Sequence, residues 1–176
     1  MKILKIVIAG GYGSGKTTFV KTLSEVVPLE TEVNTSDPRG EKRTTTVAFD
    51  YGRIAVRSDL VVHLFGLPGQ ERFSFLWRGL SRGMHGYILM VDSSSLDSVK
   101  ESILVYSFLR EFFPYTPHVV AANKQDLPTR VPPEEVRKLL DVPSRIKVLP
   151  LIARDKEMVI NTLVSLLEEI KLTGEY

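Results

Sequence analysis

The chain is predicted to fold as a single α/β domain over residues 1–176: a sheet of about six strands, mostly parallel with one antiparallel hairpin strand, and helices on both faces. Three observations predict this. Short apolar runs alternate with amphipathic stretches along the chain, the pattern of a parallel sheet crossed over by helices. The 176 residues suffice for one core of that size. A glycine-rich turn ending in Lys16-Thr17 joins the first apolar run to the first helical stretch, as in a strand–loop–helix unit that binds anions.

The elements follow in order. Ile3–Ala9, apolar except for Lys5, reads as a buried strand, and Thr17–Val26 as a helix that stops before Pro28. Leu29–Thr45 is polar, contains Pro38 and Gly40, and reads as a long mobile loop. Val47–Arg57 and Leu60–Phe65 are expected to pair as an antiparallel hairpin turned at Ser58-Asp59. Gly66–Gly83 is irregular with a helical turn inside it, and Gly86–Val91 is a strand. Leu96–Phe113 reads as one helix with Val99, Ile103, Tyr106, Leu109 and Phe113 on a single face. After the strand His118–Ala122, Pro132-Pro133-Glu134-Glu135 opens a short helix. Lys147–Leu151 is the last strand, and Val159, Leu163, Leu166, Leu167 and Ile170 stripe the final helix.

Composition excludes several function classes. Hydrophobic residues are 43% and charged residues 25% of the chain, outside the ranges of disordered or membrane-embedded proteins. With 23 Lys+Arg against 21 Asp+Glu the net charge is +2, too small to announce a nucleic-acid partner. The absence of cysteine excludes disulfides, thiolate metal sites and S-acylation, and three scattered histidines (His63, His85, His118) do not make a metal site. Lys2 excludes N-myristoylation, and no apolar run reaches the ~18 residues of a membrane span. The expectation is a cytoplasmic protein without an intrinsic membrane anchor.

Gly10-Gly11-Tyr12-Gly13-Ser14-Gly15-Lys16-Thr17 satisfies G-x-x-x-x-G-K-[ST]. Gly10, Gly13 and Gly15 let the backbone curl so that successive N–H groups, with that of Ser14, point inward at an anion, and the helix N-terminus adds positive partial charge. Lys16 can bridge the outer phosphates of a nucleotide, the Thr17 hydroxyl can ligate Mg²⁺, and Thr18 lies beside them. Tyr12 either shields the terminal phosphate or lies outward on the surface.

About a hundred residues on, Asn123-Lys124-Gln125-Asp126 stands at the C-terminal end of a strand, where nucleotide sites of such sheets lie. The Asp126 carboxylate can accept from both N1–H and the N2 amine of guanine, a pair adenine does not offer. Asn123 can brace the loop, and the stem of Lys124 can cover the base. In Ile152-Ala153-Arg154 the Ala153 N–H is a candidate partner for guanine O6.

Phosphate loop, long loop, hairpin, P-G-Q and N-K-Q-D in this order resemble a small Ras-like GTPase across nearly the whole chain. The T-T-T-V-A-x-D segment at Thr44–Asp50 and Phe65-Gly66-Leu67-Pro68-Gly69-Gln70 are similar to the prokaryotic branch of MglA polarity GTPases and the GTPases of actinobacterial conservon clusters. The N-K-Q-D tetrapeptide is also similar to that of Arf-like proteins. The resemblance implies a GTP/GDP-controlled switch with Mg²⁺ and slow GTP hydrolysis, acting through regulators and effectors, among them a roadblock-domain protein.

It also implies site residues. Of Thr44, Thr45 and Thr46, the family pattern favours Thr46 as the one reaching Mg²⁺ and the γ-phosphate; alternatively the threonines only open a strand. Gly69 donates its N–H to the γ-phosphate, and Gln70 orients the attacking water. The family's D-x-x-G aspartate is here Gly66, so magnesium handling falls to another acid. Asp50 is expected to substitute through water, or else to be a solvated carboxylate or a partner of Arg53. Arg43, beside Lys42, either acts as an internal arginine finger or belongs to a solvated basic loop. Phe73, Phe75, Leu76 and Trp77 either pack beneath the second loop or form an exposed hot spot. Two rival functions are a nucleotide-binding module without useful turnover and a small-metabolite kinase or ATPase.

Overall fold

The computed structural model describes residues 1–26, 31–36, 42–47 and 49–174, the two middle segments by backbone alone. The main sheet consists of β1 (Lys2–Gly10), β4 (Tyr51–Arg57), β5 (Leu60–Gly66), β6 (Gly86–Asp92), β7 (His118–Asn123) and β8 (Val148–Pro150), in the order β4-β5-β1-β6-β7-β8. Only β4 runs antiparallel, paired with β5 across the Ser58-Asp59 turn. β1 runs parallel to both β5 and β6, so it lies inside the sheet and buries both of its faces.

Alternation along β1 sorts the core into two layers. Leu4, Ile6 and Ile8 pack with Phe19, Val20 and Leu23 of α1 (Lys16–Leu23) and with Val159, Leu163, Leu166 and Ile170 of α6 (Lys156–Leu172). Val7 and Ala9 face Trp77 of α2 (Trp77–Ser81), Val99 of α3 (Leu96–Lys100), Val105, Tyr106 and Leu109 of α4 (Ile103–Phe112) and Val136 of α5 (Pro133–Leu139). Helices therefore cover both faces, as expected.

Three expectations change. The polar segment read as a loop contains β2 (Thr31–Ser36) and β3 (Lys42–Val47), a separate antiparallel ribbon pairing Glu32 with Thr46 and Thr35 with Arg43. Threonine-rich polar runs pair through the backbone and leave no amphipathic signature. The strand expected over Val47–Arg57 is interrupted, since β3 ends at Val47 and β4 begins at Tyr51, and Asp50 lies in the gap. The helix expected over Leu96–Phe113 is two: it breaks at Glu101-Ser102, which pack directly against Gly11 and the Met90 carbonyl. Ile103, placed on the buried face by periodicity, is 42% exposed as a result.

The β4 edge is clasped by the end of α1. Glu25 N donates to Arg53 O at 2.9 Å, Arg53 N to Ser24 Oγ at 3.1 Å and Ala55 N to Glu25 Oε2 at 3.3 Å. Gly52 admits this approach, because a Cβ there would stand 2.8 Å from Val20 Cγ1.

Candidate functional site

The loop between β1 and α1, the residues after β7 and the segment 152–154 after β8 meet at the C-terminal edge of the sheet. They enclose a cavity of about 620 Å³. Of the expected residues, Gly13, Ser14, Gly15, Lys16, Thr17, Thr18, Gly69, Asn123, Lys124, Asp126, Ala153 and Arg154 line it. Gly10 lies behind the wall, where its backbone passes the Met90 carbonyl. Tyr12, Leu127 and Ile152 complete the lining; the last two were not anticipated, since an apolar residue in a loop carries no signal of its own.

Lys16 is only 8% exposed, and its Nζ donates to Gly11 O at 2.8 Å, Gly10 O at 3.0 Å and Ser14 Oγ at 3.3 Å. Burial lowers its pKa to about 8, with the Asp50 carboxylate pulling the other way. Gly69 lies directly over this ammonium. A Cβ at residue 69 would stand 2.7 Å from Lys16 Nζ and 2.7 Å from Tyr12 N, so only glycine brings the second loop so near the phosphate loop.

Asp50 and Gly66 are neighbours. Gly66 N donates to Asp50 O at 2.7 Å, and a Cβ at Gly66 would lie 3.1 Å from Asp50 Oδ2. The same Oδ2 accepts from Thr17 Oγ1 at 2.8 Å. The Asp50 carboxylate therefore lies beside both the Gly66 position and the hydroxyl expected to hold magnesium. Two hard oxygen donors so close fit a cation that completes its shell with phosphate oxygens and water. The Thr46 and Arg43 side chains lie outside the described residues.

At the other end of the cavity Asn123 is a brace. Its Nδ2 donates to Ser14 O at 2.9 Å, and its Oδ1 accepts from Ala153 N at 3.0 Å. The N–H expected to meet guanine O6 is therefore already donated, and an O6 contact through Ala153 would have to share or exchange that bond. Lys124, with φ 67°, turns its ammonium to Asp92 Oδ2 at 2.8 Å, which leaves its stem along the cavity. Burial works against the charge of Asp92, yet hydrogen bonds from Lys124 and Ser94 hold its pKa below the ordinary value. Asp126 Oδ2 accepts from Arg154 Nη2 at 2.7 Å. Neither ion pair is legible in the sequence, because 32 and 28 residues separate the partners.

Gln70 is absent from the lining of this cavity. Its Oε1 accepts from Arg72 Nε at 2.7 Å, and the residue lines a second cleft with Tyr12, Trp77, Glu101 and Leu104. Tyr12, 73% exposed, lies outward and borders both spaces. The two readings of the aromatic cluster divide by residue: Phe73 and Trp77 are buried, Trp77 donating to Pro68 O at 2.8 Å, whereas Phe75 is 62% exposed.

The phosphate loop at the end of β1 and the sheet order define the class, a P-loop α/β nucleotide-binding protein. A family model described as a conserved hypothetical ATP binding protein matches residues 30–175, a span that begins after the phosphate loop. Human ADP-ribosylation factor-like protein 4C is 32% identical over 143 residues, covering 78% of this chain and 68% of that protein. ADP-ribosylation factor-like protein 3 of Saccharomyces cerevisiae is 28% identical over 138 residues, covering 77% and 67%. The Arl6 BBS3 small GTPase of Trypanosoma brucei, solved with the nucleotide analogue GppNp, matches with a TM-score of 0.70 at 21% identity. That match covers 97% of this chain and 98% of that one, and is a likeness of fold. The chain belongs to the family of the matching model and, through its ADP-ribosylation factor-like relatives, to the Ras-like small GTPase superfamily.

Proposed function

We propose that the protein is a guanine-nucleotide switch that binds GDP and GTP with Mg²⁺ and slowly hydrolyses GTP. The observation that carries this is the single cavity with Lys16 and Thr17 at one end and Asn123, Lys124 and Asp126 at the other. Gly10, Gly13, Ser14, Gly15 and Thr18 shape or line the phosphate end, while Ala153 and Arg154 flank the base. Lys16 neutralises the phosphates, and Thr17 with Asp50 holds the magnesium shell, to which Thr46 contributes from β3. Magnesium, when bound, draws charge from the phosphate oxygens. Gly69 donates its N–H to a third phosphate after withdrawing from Lys16, and Gln70 leaves Arg72 to orient the attacking water. Arg43 adds positive charge to the leaving phosphate. Signalling through regulators, among them a roadblock-domain protein, in the cytoplasm accords with the prokaryotic-branch motifs Thr44–Asp50 and Phe65–Gln70.

Asp126→Asn tests the base assignment. Guanine nucleotides should bind at least about tenfold more weakly, the size of one charged hydrogen bond, while xanthine nucleotides gain. Equal affinity of the unmodified protein for ADP and GDP would refute it. The second reading, a binding module with negligible turnover, is favoured by the placement of Gln70 on Arg72. Single-turnover release of γ-phosphate from GTP with excess protein decides between the two.

A further inference from the structure

We infer that the Arg154 guanidinium is a positioning residue that sets base specificity by fixing the Asp126 carboxylate, an inference that rests on the guanine reading above. Arg154 Nη2 holds Asp126 Oδ2 at 2.7 Å, and among the described residues this is the one side-chain partner of that carboxylate. Both residues line the cavity, Arg154 from its rim, with its side chain 77% exposed, and Asp126 from deeper, at 31%. A carboxylate with no partner rotates about its terminal torsion in a broad two-fold well. One Nη2–H bond on one oxygen narrows that torsion without filling the carboxylate's remaining lone pairs.

Recognition of guanine needs both N1–H and the N2 amine to be met at once, so it depends on that torsion. Hypoxanthine, which lacks the N2 amine, asks for one contact and tolerates rotation. Arg154 therefore contributes to discrimination between the two bases more than to affinity for either phosphate chain. Exposed ion pairs contribute little to stability, so the pair is suited to this role without being needed for folding.

The test measures GDP, IDP and ADP affinity for the full chain and for Arg154→Ala, Arg154→Lys, Asp126→Asn and the Arg154→Ala/Asp126→Asn double variant. Arg154→Ala should weaken GDP by about tenfold and IDP by no more than about twofold, narrowing the GDP/IDP ratio. Arg154→Lys, which keeps the charge but not the directional Nη2–H of the planar guanidinium, should recover only part of that ratio. In the Asp126→Asn background Arg154→Ala should leave the ratio unchanged. Equal losses of GDP and IDP, full recovery with Lys, or no loss at all would overturn the assignment. Equal ADP and GDP binding by the unmodified protein would instead overturn the guanine reading on which it rests, so the two failures are distinct.

Discussion

Placing an aspartate at residue 66, as the D-x-x-G pattern of the resemblance would have it, should harm this protein. Gly66 is not required by its backbone, since its φ is not among the positive values. It is required by its neighbour, because a Cβ would already lie 3.1 Å from both Cβ and Oδ2 of Asp50. In Gly66→Asp two carboxylates would stand roughly 4 Å apart, which at an effective dielectric near 20 amounts to about 4 kcal/mol of repulsion. Asp50 is only half-buried, so screening reduces this, and a loss of about 1–3 kcal/mol is expected. Urea unfolding of Gly66→Asp in chelator reads it directly, with added magnesium recovering part of the loss. Asp50→Asn alone should raise the magnesium concentration needed to retain GTP and leave magnesium-free GDP binding alone. Adding Gly66→Asp to Asp50→Asn should restore that requirement, the new carboxylate taking the place of the old. If Gly66→Asp is as stable as the unmodified protein in chelator, or if Asp50→Asn does not relieve it, the two residues do not share one position.

Gln70→Leu should slow single-turnover hydrolysis at least about tenfold, about 1.4 kcal/mol of transition-state stabilisation, with nucleotide affinity nearly unchanged; unchanged turnover, with or without a regulator, removes Gln70 from the chemistry. Because Lys16 has a pKa of about 8 and is needed charged, nucleotide binding should take up a proton above that pH and weaken as pH rises. Calorimetry at pH 8.5 in buffers of different ionisation enthalpy checks this, and a buffer-independent heat contradicts it. His118, stacked on Tyr87 with ring centroids 4.4 Å apart and paired with the Tyr106 hydroxyl, has its pKa lowered by burial to about 4. The unfolded chain then binds the extra proton first, so stability present above about pH 6.5 is lost towards pH 4, by up to roughly 3 kcal/mol. Denaturant titrations at pH 7 and pH 4.5 should show this, and His118→Asn should flatten the difference.

Residue types at fixed spacing carried most of what could be read in advance. Gly13–Thr17 and Asn123, Lys124 and Asp126 line one cavity because each motif encodes a backbone shape locally, and Ser58-Asp59 turns the hairpin for the same reason. Asp50 beside Gly66 followed from the pairing of neighbouring strands, although its strand is broken where continuity was expected. What stayed hidden depends on tertiary contact. Glu101 ends a helix because it meets Gly11, ninety residues earlier. Gln70 is held by Arg72, and Ala153 has donated its N–H to Asn123; neither choice is visible in a motif, where every residue looks equally available.

The clasp on β4 bears on what this sheet edge can accept. A strand at the rim of a sheet is an open template for another chain, and here the template is filled by Ser24 and Glu25. Any chain that extended the sheet at Arg53 and Ala55 would first release three hydrogen bonds. At about 1 kcal/mol each, this handicaps such an association by roughly a hundredfold. The filler is the tail of α1, whose head carries Lys16 and Thr17. One short helix, ~12 Å long, thus guards the rim against self-templating while it presents the phosphate-binding side chains.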